Sequence, residues 1–265
     1  MKKRTFLKAV LVLTALCILL PMAVIAVWSV TGRWPWPNLL PESWTLRTLE
    51  ELFFGSAKLP QLLGSSIFLA AAVAALTTAI SILTARATEF YRFPGKSVIR
   101  FCGMLPLLVP GTVFAMGIQL VMLKMGLADK ISGVVLVHLV CALPYCLAIM
   151  GDVTRAVGVQ LEEQAQVLGA SPMRAFFAVT LPSLLPGVLS SMSMGFILSY
   201  SQYFTTLMVG GGRVKTIALV LVPYIQSGDR ALSAVYSVTF VGSALLVFFL
   251  FESMIRKFQK RGEGR

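Results

Sequence analysis

The chain has 265 residues, of which 57% are hydrophobic and only 13% are charged, and its mean hydropathy is +0.83. These values exclude an ordinary water-soluble domain and indicate an integral membrane protein. The net charge of +12 does not indicate nucleic-acid binding here, because the basic residues gather between apolar segments, as they do in membrane proteins.

Six apolar segments are long enough to cross a bilayer as helices, which takes about 20 residues. They are residues 6–30, 62–83, 101–123, 131–150, 184–208 and 232–251. The first is longer than the apolar core of a signal peptide, which favours an uncleaved anchor over a cleaved leader. A further stretch, 214–225, is too short to span and predicts a short helix at the outer surface. The predicted fold class is an all-α integral membrane protein with six transmembrane helices.

The basic residues are unevenly divided between the two sides that six spans define. With both termini on one side, 15 of the 23 Lys and Arg fall on that side and eight on the other. Since cytoplasmic loops are enriched in Lys and Arg, both termini and the loop after the fourth span are predicted to be cytoplasmic. The predicted organisation is an N-terminal helix with its outer loop (1–60), a transmembrane domain (61–255) and a basic cytoplasmic tail (256–265).

Proline and polar residues interrupt some of the predicted spans. Pro110 and Gly111 are expected to loosen the third one. His138 lies in the fourth, and Tyr200, Gln202 and Tyr203 lie in the outer half of the fifth. Polar groups are costly against lipid, so these four side chains are candidates for a solute path. The alternatives are a hydrogen-bonded packing histidine and simple interhelical hydrogen bonding.

Several kinds of chemistry have no residues to support them. The chain has one histidine and four dispersed cysteines, so no metal site is predicted. It has no phosphate-binding glycine loop, so it is expected not to bind ATP itself, and no cofactor is predicted. An integral-membrane enzyme would need a cluster of His, Asp or Cys, and with one histidine and no carboxylate inside a span the chain is not expected to be an enzyme. One function open to a multi-pass membrane protein is that of a secondary carrier, and such carriers commonly need carboxylates at membrane depth. No predicted span has an Asp or Glu at its centre, which argues against a proton-driven carrier. If the chain transports a solute, the energy is therefore expected to come from a partner.

The segment after the fourth span is polar and has helical periodicity. Leu161, Ala165 and Leu168 are spaced to share one helix face. The polar residues around them are Glu162, Glu163, Gln164 and Gln166. This pattern predicts a short amphipathic helix outside the bilayer, and with it a docking surface for a soluble partner.

A tight turn and a second helix are predicted to follow. Gly169 is placed for a left-handed helix stop, and Ser171 and Pro172 for the N-cap and first residue of the next helix. The segment resembles the cytoplasmic loop E-A-A-x3-G-x9-I-x-L-P of binding-protein-dependent ABC importer permeases. The matching positions are Glu163, Gln164, Ala165, Gly169, Val179, Leu181 and Pro182. Gln164 stands in place of the first alanine, and Val179 in place of isoleucine.

This resemblance implies the type I importer permease fold over roughly residues 60–255. It implies that the loop is a coupling helix seated on separate ABC ATPase subunits, which bind the ATP. The other implied partners are a second permease, either a copy or a relative, an extracytoplasmic solute-binding protein and the lipid of the bacterial inner membrane. The overall pattern is nearest the polyamine, ferric-iron, thiamine and phosphonate group. Polyamine permeases tend to carry acidic residues where this chain has 199–203, which argues against a polycation.

Overall fold

The computed structural model describes residues 2–34, 38, 40–54 and 58–263, and this part is mostly helical. The last two residues of the predicted tail, 264 and 265, lie outside the described residues. The elements in chain order are α1 (Lys2–Trp28), β1 (Thr31–Arg33), β2 (Ser43–Trp44), α2 (Arg47–Phe54), α3 (Leu59–Phe90), α4 (Lys96–Leu108), α5 (Gly111–Lys124), α6 (Ile131–Val157), α7 (Gln160–Val167), α8 (Pro172–Ala175), a π-helical turn (Phe176–Thr180), α9 (Leu181–Tyr200), α10 (Phe204–Gly210), α11 (Ile217–Ser227) and α12 (Arg230–Glu263).

One compact unit comprises residues 1–63 and 220–243. Its α1 is apolar, and no residue in the most apolar stretch of this helix is buried. Strands β1 and β2 pair antiparallel, with Thr31 opposite Trp44. The guanidinium of Arg230 lies 5.5 Å from the ring centroid of Trp28. This cation–π contact holds the start of α12 against the end of α1.

The other compact unit comprises residues 64–219 and 244–265. Small residues let α9 approach its neighbours closely. A methyl group added at Gly187 would lie 2.7 Å from the side chain of Val153 in α6, and one at Gly195 would lie 3.2 Å from the Cα of Ala74 in α3. Close approach at small residues is the usual way in which membrane helices pack. Helices α3, α6 and α9 therefore form the packed centre of this unit.

Within the part of the chain that the structure describes, five helices are long and apolar enough to cross a membrane, and the bent pair α4–α5 makes a sixth span if it is counted as one. The third predicted segment, 101–123, is therefore not a continuous helix. The chain bends by 112° between its two halves. Val109 is extended, with φ −95° and ψ 129°, because the proline ring of Pro110 disfavours the helical conformation in the residue before it. The sequence predicted a loosened helix at this point, and the structure has a full break.

The fifth predicted segment, 184–208, is also broken. Helix α9 ends at Tyr200 and α10 begins at Phe204. The hydroxyl of Ser201 donates to the carbonyl of Ile197 at 2.9 Å, and that of Thr206 donates to the carbonyl of Gln202 at 2.7 Å. Side chains thus satisfy backbone groups at the break, which makes a non-helical conformation there less costly. The short helix predicted over 214–225 is present as α11.

Candidate functional site

The segment between α6 and α9 folds into two short helices joined by a tight turn, as predicted. Gly169 follows α7 and has a φ of 94°, in the range that favours glycine. The Oγ of Ser171 caps α8 by accepting a hydrogen bond from the backbone N–H of Arg174 at 3.4 Å, and Pro172 occupies the first helical position. The turn chemistry that the sequence predicted for this segment is confirmed.

The exposed surface of α7 and its turn contains apolar as well as polar side chains. Glu163 and Gln164 are exposed, but so are Leu161, at 49%, and Leu168, at 88%. Of the other positions that match the family loop, Ala165, Val179 and Leu181 are half-buried, and Gly169 and Pro182 are exposed. The surface of α7 and its turn is therefore partly apolar.

Glu162 is the residue of α7 that packs inward, and it is only 7% exposed. Its two carboxylate oxygens accept hydrogen bonds from Nη1 and Nη2 of Arg86, at 2.7 and 2.9 Å. The hydroxyl of Thr180 donates to the same carboxylate at 2.6 Å. A bidentate arginine–carboxylate pair fixes geometry as well as adding binding energy. These three side chains, which we call the carboxylate latch, join α3, α7 and the π-helical turn.

The π-helical turn contributes Thr180 to the latch and places Phe176 beside it. The guanidinium of Arg86 lies 4.6 Å from the ring centroid of Phe176, at the start of the turn, and 5.8 Å from that of Phe90 in α3. Thr180 ends the turn. The same turn therefore places an aromatic ring over the arginine and a hydroxyl on the glutamate. Such turns are uncommon within helices and recur at functional sites.

The surroundings of Glu162 keep it ionised. The hydrogen bonds from Arg86 are the largest cause and hold the pKa of the Glu162 carboxyl below its ordinary value of 4.5. The Thr180 hydroxyl and the positive charge of Arg86 act in the same direction, while burial opposes them. Glu162 is thus a carboxylate at neutral pH, and the latch is a charged pair.

A second acid–arginine cluster joins a different set of helices. Glu89, near the end of α3, accepts hydrogen bonds from Nη2 of Arg100 at 2.7 Å and from Nε of Arg155 at 3.1 Å. It links α3 to α4 and α6, whereas the latch links α3 to α7 and the π-helical turn. The two clusters are alike in chemistry and differ in the element that they hold.

Two of the residues predicted for a solute path lie in the core. His138 is 1% exposed, and its Nδ1 and Nε2 lie 2.9 Å from the hydroxyls of Ser199 and Thr206, respectively. Tyr200 is 3% exposed and stacks on Phe196 with 5.3 Å between ring centroids. Between the alternatives that the sequence left open, these positions favour packing and interhelical hydrogen bonding.

The other two predicted path residues lie at the break between α9 and α10. Gln202 lines a cavity of about 450 Å³, and Tyr203 is half-buried beside it in the chain. The cavity lies where this break meets the break between α4 and α5, and α6 supplies a third wall. Among the described residues that line it, the polar ones are Thr112, Cys141, Tyr145, Gln202 and Thr205, and none is charged. The hydroxyl of Thr205 donates to Oε1 of Gln202 at 2.7 Å, so the amide N–H groups of Gln202 are left to act as donors.

A helical membrane unit with an exposed two-helix loop is the architecture of an importer permease, and comparison with known proteins agrees. Residues 78–262 match the family model described as "Binding-protein-dependent transport system inner membrane component". The chain belongs to this family, and it is a permease subunit of the type I ABC importer class. Family membership supports the importer function over the alternative of a secondary carrier. The protein is thus a multi-pass membrane component of a transport system and not an enzyme.

The curated relatives of this chain are permeases for different solutes. The molybdenum transport system permease of Haemophilus influenzae is 30% identical over 65% of this chain and 83% of its own length. The putrescine transport system permease of Escherichia coli K12 is 24% identical over 82% and 80%. The sulfate transport system permease of Salmonella typhimurium is 24% identical over 74% and 76%. These relatives are named for the transport of molybdenum, putrescine and sulfate, so the comparison alone leaves the solute open.

A solved structure confirms the fold. A chain of a bacterial ABC transporter that imports the acidic polysaccharide alginate superposes with a TM-score of 0.73 and 19% identity, covering 95% of this chain and 96% of that one. At this identity the likeness concerns the fold alone. It agrees with the predicted all-α permease architecture.

Sequence reasoning missed the residues that hold α7 in place. Arg86 contributed only to the charge count, and Glu162 was placed among the polar residues of the predicted amphipathic helix. Thr180 and Phe176 were unremarked positions within the matched loop. The available signal was an arginine near the end of an apolar helix and an acidic residue beside the family glutamate. Nothing local links two residues that are 76 positions apart.

Proposed function

We propose that this chain is one of two permease subunits of an ATP-driven, binding-protein-dependent importer. An extracytoplasmic binding protein delivers the solute, the two permeases enclose its path, and separate ATPase subunits bind and hydrolyse ATP. The observation that carries the proposal is the exposed surface of α7 and its turn, built on a segment that matches the coupling loop. The second permease is either a copy of this chain or a relative.

The proposed ATPase contact combines polar and apolar side chains. Glu163 and Gln164 supply polar groups on α7, while Val167 and Leu168 are 87% and 88% exposed at its end. Apolar residues rimmed by polar ones mark protein–protein contacts. Gly169, with its positive φ, ends this apolar stretch before α8 begins. The proposed ATPase contact on α7 is then connected to the first turn of α9 by Ala165, Val179, Leu181 and Pro182.

The proposed orientation places α7 and both chain termini in the cytoplasm, where the ATPase subunits are. It rests on the excess of Lys and Arg on that side. A single cysteine at position 164, in a chain freed of its four native cysteines, tests it. An impermeant maleimide should label that cysteine in inside-out vesicles and leave it unlabelled in intact cells. Labelling in intact cells would reverse the topology.

The solute class that the cavity favours is a small oxyanion. Its lining is uncharged, and Thr112, Tyr145 and Gln202 supply hydroxyl and amide donors. A polyamine or ferric ion would call for carboxylates, which the lining does not contain. Of the four solute types that the family resemblance implied, the phosphonate type is an oxyanion. Two of the curated relatives are named for molybdenum and sulfate transport, which supports the same class. Tyr203 and the core residues His138 and Tyr200 are then supports of this cavity.

The test is uptake into vesicles that contain the complex purified through this chain, with binding protein outside and ATP inside. Labelled molybdate, sulfate and putrescine are compared. We expect concentrative, ATP-dependent uptake of an oxyanion that a proton ionophore does not abolish. Uptake that needs no ATP and collapses with the ionophore would identify a secondary carrier. Uptake of putrescine alone would overturn the solute class while leaving the importer intact.

A further inference from the structure

We infer that the carboxylate latch is the joint through which movement of α7 reaches the membrane-spanning helices, an inference that rests on the proposed function. Helix α7 has eight residues, and Glu162 is the one that it buries. The rest of the helix is exposed or half-buried. A displacement applied to α7 by a partner therefore reaches α3 through this carboxylate.

The carboxylate latch adjoins a cluster of buried, closely packed residues. Ala85, next to Arg86, belongs to a buried cluster with Met150 of α6 and Leu184 of α9. Closely packed interiors transmit displacement instead of absorbing it. Farther along the same helices, the hydroxyls of Thr78 in α3 and Ser191 in α9 are 3.0 Å apart. Movement at the latch is thus delivered to α3 and α9 together.

The geometry of the latch suits transmission better than a single ion pair would. Two parallel hydrogen bonds from Arg86 fix the direction of the Glu162 carboxylate, and Thr180 fixes it from the side of the π-helical turn. A lysine in place of Arg86 would keep the charge and lose this fork. Arg86, Glu162 and Thr180 are therefore positioning residues, which act on transport through α7 and α9.

The first experiment compares uptake with ATP hydrolysis in the reconstituted complex, using molybdate as the probe. The variants are Glu162→Gln and Thr180→Val, with Thr180→Ser as the conservative rescue. Glu89→Gln is the matched control, since it weakens a similar acid–arginine cluster that does not hold α7. We expect the first two variants to bind the ATPase and to hydrolyse ATP, but to import roughly tenfold less solute per ATP. Thr180→Ser and Glu89→Gln should keep the wild-type ratio.

The second readout needs no solute. Spin labels at positions 164 on α7 and 76 on α3 report the distance between these helices with and without ATP and vanadate. In the wild type this distance should stay the same, because the helices move together, whereas in Glu162→Gln it should change or broaden when nucleotide binds. The inference is overturned by a wild-type uptake ratio in Glu162→Gln, by an equal loss in Glu89→Gln, or by identical distances in wild type and variant. Failure of the wild type to import molybdate would instead count against the proposed solute.

Discussion

Arg86 and Glu162 are 76 positions apart in the chain, and their side chains meet through two hydrogen bonds of 2.7 and 2.9 Å. The pair connects a membrane-spanning helix with the short exposed helix that matches the family's coupling loop. It is partly shielded from water, with side-chain exposures of 16% and 8%. At this point the membrane part of this permease and its loop are therefore joined directly by side chains.

The latch should weaken in acid. Because the pKa of Glu162 is lowered in the folded protein, its ionised form stabilises the fold above its ordinary pKa of 4.5. This stabilisation is lost as the pH falls through the lower folded-state value. We expect Glu162→Gln to lose roughly 1–3 kcal/mol of stability at neutral pH. The gap in melting temperature between wild type and variant should be constant above the ordinary pKa and shrink below it.

The measurement is thermal unfolding of the detergent-purified protein as a function of pH. Glu252→Gln is the control, since it removes an exposed pair with Arg256 at 3.0 Å and should change stability by at most about 1 kcal/mol. The difference in melting temperature between wild type and Glu162→Gln could instead stay unchanged in acid while the wild type is still folded. That result would contradict the stabilising role of the ionised Glu162 carboxylate.

Replacing Gly169 should separate docking from stability. Gly169 and Gly212 have φ values of 94° and 72°, and an added Cβ would meet nothing within 4 Å at either position. An alanine at either site is therefore strained by its backbone alone, by about 1–2 kcal/mol. We expect similar losses of thermal stability, but only Gly169→Ala should weaken co-purification of the ATPase. Equal ATPase recovery in the two variants would remove Gly169 from the coupling turn.

The cavity residues should control solute affinity. Gln202→Leu and Tyr145→Phe remove donors from the lining at nearly constant volume. Each lost hydrogen bond to an anionic solute should weaken binding by roughly 1.5–3 kcal/mol, seen as a higher half-saturation concentration for uptake. ATP hydrolysis without solute should stay unchanged. Wild-type concentration dependence in both variants would show that the solute passes elsewhere.

His138 should behave as a packing residue. His138→Leu would remove the hydrogen bonds to Ser199 and Thr206 inside the helix contact, at a cost of roughly 1–3 kcal/mol. We therefore expect a lower melting temperature with unchanged solute concentration dependence and selectivity. The opposite pattern, a stable protein with altered selectivity, would place His138 in the solute path.

Local chemistry made some of this structure predictable. The stop at Gly169 and the cap at Ser171 follow from single residues acting on their neighbours, and both are present. The break at Val109 was underestimated, because proline fixes where a helix is disturbed but not the angle at which the two halves then pack. The burial of Glu162 was missed, because helical periodicity assigns faces by polarity. Here a distant arginine overrides that rule and draws an acidic residue inward.

The contact of α7 with an ATPase is the central claim, and site-directed crosslinking tests it most directly. Cysteines are placed at position 164 on α7 or at position 125, beyond the opposite end of α6, in a chain freed of native cysteines. A short bifunctional reagent is applied to native membranes, and the products are photolabelled with azido-ATP. We predict an ATP-labelled adduct from position 164 and none from position 125. An ATP-labelled adduct from position 125 alone, or from neither position in membranes that perform ATP-driven uptake, would contradict the claim.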